Sequence, residues 1–227
     1  MRLMERAAAR AQLPLKYTQG FNPHPRLSLA WPRPVGIASR CELLTVELQD
    51  APPGQEASLD WPGRLARQWP GGIDLVRCEP MEGTKAPAVL SSSYEIDLEG
   101  PEVQAAQERL AQLAQEKTWV ILRRSGPEGP KAPAQKPLDL KPLLGEIKLA
   151  EGRLAFTLTC EDGPSARPGE VLQLLFGASP GSTGVSPVPP ENTGETPVLP
   201  QMLSRLVRTH LALRSQRAEE DQKGSSE

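Results

Sequence analysis

Proline divides this chain before any other feature does. There are 25 prolines in 227 residues, about twice the usual share of roughly 5%, and they are clustered. A proline fixes φ and lacks a backbone N–H, so neither a long helix nor a central strand runs easily through a cluster. Pro23, Pro25, Pro32 and Pro34 punctuate residues 15–36. Pro127, Pro130, Pro133 and Pro137 do the same for 125–137, and Pro187, Pro189, Pro190, Pro197 and Pro200 for 178–200. Short elements must fill what remains.

Those elements read as follows. Leu3, Met4, Ala7, Ala8 and Ala11 fall on one face at helical spacing, predicting a helix over 1–12 that Pro14 ends. Short strands follow at 26–31 and 42–48, then a turn at 51–54, a helix over 56–69 and a strand at 73–77. Residues 81–93 read as a linker. Beyond it, 94–98 alternates as a strand, and Pro101 opens a helix with the apolar stripe Val103, Ala106, Leu110 and Leu113. A strand at 118–122 and a loop at 125–137 come next. The segments 143–149 and 154–159 form a hairpin turning at Glu151–Gly152, Pro168 opens a helix through Phe176, and 203–213 returns as a final strand.

The order predicts an α+β protein of two ferredoxin-like (βαββαβ) units in tandem, residues 1–80 and 94–214. The strand near 143–149 is an elaboration of the second. The first unit lacks its N-terminal strand, which predicts that coding sequence upstream supplies one or that the chain is truncated. TGVSPVPP at 183–190 recurs as TGETPVLP at 193–200. Two copies are too few for a stacked repeat, so 178–200 is expected to be a disordered insertion and 215–227 a disordered tail.

Charge and cysteine content narrow the classes. The formal net charge is −2, which gives no overall attraction to nucleic acid, but its distribution is uneven. Arg2, Arg6, Arg10, Lys16, Arg26, Arg33 and Arg40 stand against Glu5 alone in the first forty residues, whereas 41–120 is acidic. Such a split makes one end able to meet phosphates or an acidic partner. Cys41, Cys78 and Cys160 are too far apart for metal-ligand spacing and suit reduced thiols of a cytoplasmic protein. No apolar run reaches the roughly 20 residues of a membrane span, and the N-terminus lacks a signal peptide's apolar middle.

The best site candidate is the loop Gln19–Pro25 with its flanks. Gln19 and Asn22 donate and accept hydrogen bonds, and Gly20 permits a tight turn. His24 carries an imidazole that can act as acid, base or ligand, Tyr17 and Phe21 offer aromatic faces, and Arg26 suits a phosphate. Arg2, Arg6 and Arg10 recur every fourth residue, and with Lys141 they are expected to extend a basic face. His24 and His210 are the two histidines, and neither has a carboxylate at a recognised ligand spacing, so no metal site is expected. GPEGP at 126–130 does not open a helix and is no phosphate loop. No serine sits in a nucleophile elbow.

The segment Leu13-Pro14, Tyr17 and Gln19-Gly20-Phe21-Asn22-Pro23-His24-Pro25 resembles the signature of the bacterial radical SAM-linked protein family, a domain of unknown function. LTVEL at 44–48, KAP at 85–87, 139–143, 166–168 and Arg208-Thr209 add weaker support. The likeness spans about 1–176 and 201–214. Family members usually begin with a further strand and a His-containing turn, both missing here, and the insertion 178–200 departs from the pattern.

Members are encoded beside, or fused to, a cobalamin-binding radical SAM protein. The resemblance implies a non-catalytic accessory or substrate-presenting partner of such an enzyme. The iron–sulfur cluster, S-adenosylmethionine and cobalamin would then sit on the partner. A radical SAM cluster needs closely spaced cysteine ligands, which this chain lacks. RNA is the expected substrate class by fold analogy alone. The alternatives are a stand-alone RNA-binding module and an enzyme using His24 as general acid–base.

Overall fold

The computed structural model describes residues 2–49, 60–81, 86–125, 134–160, 165–177 and 199–213. In chain order these form α1 (Arg2–Arg10), β1 (Leu27–Leu29), β2 (Ala38–Ser39), β3 (Leu44–Val46), α2 (Trp61–Ala66), β4 (Val89–Asp97), α3 (Pro101–Gln115) and β5 (Val120–Ser125). There follow β6 (Ala134–Asp139), β7 (Leu144–Ala150), β8 (Arg153–Thr159), α4 (Pro168–Phe176), α5 (Leu199–Arg205) and β9 (Val207–Leu213). The class is α+β with several sheets, as the sequence predicts. The turn at 51–54, most of the loop at 125–137, nearly all of the insertion 178–200 and the tail 215–227 lie outside the described residues.

Two compact units divide the chain. One takes residues up to Pro32 and from Glu42 to Ala88; the other takes Arg33 to Cys41 and the residues from Val89 onward. Thus 33–41, within the stretch read as the first unit, contributes β2 to the second.

In the first unit, α1 buries Ala7, Ala8 and Ala11 against Leu15 and Leu65. Leu27 and Val46 of the β1–β3 ladder, and Leu48, which bridges to Leu15, pack against the same cluster. Small alanines let the helix approach closely. Helix α1 ends in a Schellman pattern: Leu13 N–H donates to the Ala8 carbonyl at 3.2 Å and Gln12 N–H to that of Ala9 at 2.9 Å. Gln12 holds φ 51, a left-handed value glycine adopts more cheaply. Gln12→Gly is therefore expected to raise stability by about 0.5–1 kcal/mol in a urea titration, although it removes the exposed hydrogen bond that Arg64 donates to the Gln12 side-chain oxygen at 3.2 Å; a loss would show that this contact outweighs the backbone gain.

Helix α2 ends at Ala66, short of the expected 69, and 56–59 of the expected helix lie outside the described residues. Asp60 caps it by accepting from the Gly63 N–H at 2.8 Å, which sets the start one residue ahead of Trp61. The expected strand at 73–77 is not one: Val76 is exposed, and Leu75 reaches the α1 cluster without joining a ladder.

The second unit holds a five-stranded sheet in the order β2-β9-β4-β8-β7. Strand β4 is antiparallel to both β8 and β9, β7 is antiparallel to β8, and β2 is parallel to β9. One face carries Tyr94, Ile96, Leu154, Phe156 and Leu158 into a core shared with Ala106 and Leu113 of α3 and with Val171, Leu172 and Leu175 of α4. The stripe read on α3 is the one buried, with Val103 and Leu110 at its margin.

Several expectations need correction here. Strand β4 begins at Val89, inside the linker read at 81–93. Serine-rich 91–93 shows little strand preference alone, but β8 and β9 pair it on both sides, so tertiary context overrides propensity. Strand β6 occupies the end of the expected loop 125–137. Its Pro137 faces Leu122 in a separate two-stranded ladder with β5, where an edge tolerates proline. Leu199 and Pro200, placed in the insertion, start α5, and the final strand begins at Val207 rather than 203.

Candidate functional site

The Gln19–Pro25 segment is the tip of a hydrogen-bonded hairpin in the first unit. Lys16 N–H donates to the Glu47 carbonyl at 2.9 Å, and Arg26 N–H to that of Lys16 at 2.8 Å. Tyr17 bridges to Pro25. Above this bridge Thr18 N–H donates to the His24 carbonyl at 2.8 Å, and His24 N–H to the Thr18 hydroxyl at 3.0 Å. Gly20, at φ 129, lies in a region open mainly to glycine, so the turn depends on it. The prolines on the return side fix φ and stiffen the tip.

This backbone pushes side chains outward. Phe21 is fully exposed, and Tyr17 is 46% exposed. Gln19, Asn22 and His24 are also exposed. The structure therefore brings Tyr17, Gln19, Gly20, Phe21, Asn22 and His24 onto one projecting loop. Arg26 differs: it donates to the Glu47 carboxylate at 3.0 Å and braces the base of the hairpin. No hydrogen bond among the described residues orients the His24 imidazole, which a general base needs.

Arg2, Arg6 and Arg10 are exposed on the side of α1 away from its alanine face. Lys141 has another role. It belongs to the second unit, where its ammonium donates to the Glu116 carbonyl at the end of α3 at 2.7 Å and lies 5.5 Å from the Trp119 ring centroid. A cation there complements the helix dipole, so Lys141 caps a helix.

In the second unit the sheet face opposite the helices carries Ser93, Glu95, Thr157 and Thr209, and the Ser93 and Thr157 hydroxyls lie 2.9 Å apart. The aromatics Tyr94 and Phe156 instead stack at 5.5 Å within the core. Sheets that bind single-stranded RNA stack bases on aromatic side chains; here the exposed His210 of β9 lies opposite Ser93. Its depression of about 60 Å³ is far below the roughly 300 Å³ of a small-molecule pocket.

Sequence reading assigned no role to Arg208, which is fully buried on β9. Its Nε donates to the Ser39 hydroxyl at 3.3 Å, and its carbonyl accepts from the Arg40 N–H at 2.9 Å and more weakly from the Cys41 thiol at 3.8 Å. These contacts tie β2 to β9. Burial pushes the Cys160 thiol above its ordinary pKa, against a Ser92 hydrogen bond and the Arg208 charge that lower it. It is thus not an activated thiolate. Among the described residues no group of three His, Cys, Asp or Glu side chains is placed to hold a metal, and no helix is long and apolar enough to cross a membrane.

A family model described as "Uncharacterized protein conserved in bacteria (DUF2344)" matches residues 1–168. That span includes the whole hairpin. No curated protein and no solved structure matches the chain.

Proposed function

We propose, because the chain belongs to the family of uncharacterized proteins conserved in bacteria (DUF2344), that it is a non-catalytic contact subunit presenting the Tyr17–Arg26 hairpin to a protein partner. The observation that carries this reading is Phe21, fully exposed at the tip of a loop whose backbone is held by internal hydrogen bonds. An apolar ring kept in water on a stiff support loses little entropy on docking, the usual property of an interface anchor.

The partner class comes from the sequence. The resemblance of Gln19–Pro25 and its flanks to the radical SAM-linked family favours a radical SAM protein, and the dispersed cysteines favour a cluster carried elsewhere. Ferredoxin-like architecture for the second unit is supported by β9-β4-β8-β7, with one helix following β4 and another following β8. The tandem arrangement has less support, since the first unit's ladder pairs two strands among the described residues.

Affinity purification of the full chain from its bacterial host under anaerobic conditions tests this reading. A cluster-bearing protein is expected in near-stoichiometric amount. Phe21→Ala should reduce its capture about tenfold or more while stability stays within about 0.5 kcal/mol. Undiminished capture by Phe21→Ala would remove the hairpin from the interface, and no cluster-bearing protein in any eluate would remove the partner.

The exposed Arg2, Arg6 and Arg10 row, in the same unit as Tyr17 and Phe21, favours one second reading, an RNA-binding module. RNA would then bind the chain alone, more weakly as salt rises.

A further inference from the structure

We propose that the second unit pairs with a second copy of this chain along the outer edge of β7, independently of the partner reading above. Strand β7 ends the sheet order, and β8 is its ladder partner. The β7–β8 turn runs through Glu151 at φ 51 and Gly152 at φ 76, the two left-handed residues of a type I′ hairpin. Ala150 and Arg153, which flank it, then form a hydrogen-bonded pair. From Ala150 back to Ile147, short of the register shift between Leu144 and Ile147, alternation makes Lys148 and Ala155 the next such pair and turns the N–H and C=O of Ile147 and Leu149 away from β8. No backbone hydrogen bond among the described residues engages those outward groups.

Charged side chains usually blunt such an edge, but the signs here are self-complementary. Glu146 and Lys148 flank Ile147, each 66% exposed, with Lys148 Nζ 2.6 Å from Glu146 Oε1. Consider antiparallel pairing about a two-fold axis at Ile147. Ile147 meets its own copy as a hydrogen-bonded pair, and its outward groups are satisfied. Glu146 then faces Lys148 of the second copy, twice, at non-hydrogen-bonded positions where side chains lie closest. Moving the axis to Lys148 sets lysine against lysine, and moving it to Glu146 sets glutamate against glutamate. An axis between residues faces outward backbone groups with inward ones. An axis at Leu149, the other outward-facing residue, sets Lys148 against Ala150 and forms no ion pair, so the axis at Ile147 is the favoured one, and it is isologous, as a closed dimer requires. The same contact covers the partly exposed Ile147 and Leu149 at the core's margin.

Sedimentation equilibrium of the full chain tests the proposal. The wild type is expected to show a concentration-dependent dimer. Lys148→Glu sets like charges opposite each other at both pairs and should weaken it roughly tenfold or more; Glu146→Lys should do the same. The double variant Glu146→Lys/Lys148→Glu should restore the dimer, and a mixture of the two single variants should form a heterodimer. These side chains are exposed, and thermal melts should show each variant folded. A wild type that stays monomeric at every concentration, a dimer indifferent to Lys148→Glu, or a double variant that fails to recover would each overturn the proposal.

Discussion

Glu170→Ala is expected to cost the second unit about 3–5 kcal/mol, the usual penalty for removing one partner of a buried ion pair. The Glu170 side chain is 10% exposed and that of Arg123 23%. Arg123 Nε and one terminal nitrogen grip the two carboxylate oxygens at 2.6 and 2.7 Å, a fork-to-fork pair. The same terminal nitrogen donates to the Ser165 carbonyl at 2.7 Å, and Glu170 also accepts the Arg167 N–H at 2.7 Å in the first turn of α4. One carboxylate thus fastens β5 to α4 and caps that helix. Without it, the Arg123 guanidinium is left largely desolvated beside a helix N-terminus, whose positive end repels it.

Removing both partners should hurt less than removing one. In Arg123→Met/Glu170→Met no charge is stranded, so the double variant is expected to be more stable than Glu170→Ala. Hydrogen exchange of α4 and β5 amides reads the loss in the right unit. A loss below about 1 kcal/mol for Glu170→Ala would show that water replaces the carboxylate, contrary to the burial argument.

Why this network escaped the sequence is instructive. Glu170 was legible as an acidic residue in the first turn of a Pro-initiated helix, and that helix is found at Pro168–Phe176. Arg123 sits 47 positions away. Pairing at that separation leaves no periodic trace. Arg208 escaped similarly: an arginine in an alternating strand reads as solvent-facing, and its partner Ser39, in the two-residue strand β2, lies 169 positions away.

What was legible had a local cause. Helices α3 and α4 start at prolines, and the β7–β8 turn falls on Glu151–Gly152, because proline position and left-handed turn residues act within a few positions. The turn at Gln19–Pro25 was legible because glycine and proline crowd one short segment. That its Phe21 points to solvent was not, since an aromatic between turn residues suits a core equally well.

Glu102 provides the second large effect, and it depends on pH. Its side chain is 8% exposed in the first turn of α3. Burial raises its pKa, but hydrogen bonds from Arg205 at 2.9 Å, the Glu99 N–H at 2.8 Å and the Arg205 charge outweigh burial and hold it below the ordinary carboxylate value. The folded state therefore binds this proton more weakly than the unfolded chain does. The stabilisation is complete above the unfolded value of about 4.3 and is lost as pH falls through the lower folded value.

Arg205 is 31% exposed and partly regains water when its partner goes, so Glu102→Ala should cost about 2–3 kcal/mol at neutral pH, less than a fully buried pair. Glu102→Gln keeps the shape and removes the titration. Its deficit relative to wild type should be constant above about pH 5 and shrink as pH drops below about 4.3, read as urea midpoints across that range. A deficit that stays constant down to the acid limit would mean that Glu102 acts through packing and helix capping, with the charge of Arg205 contributing nothing.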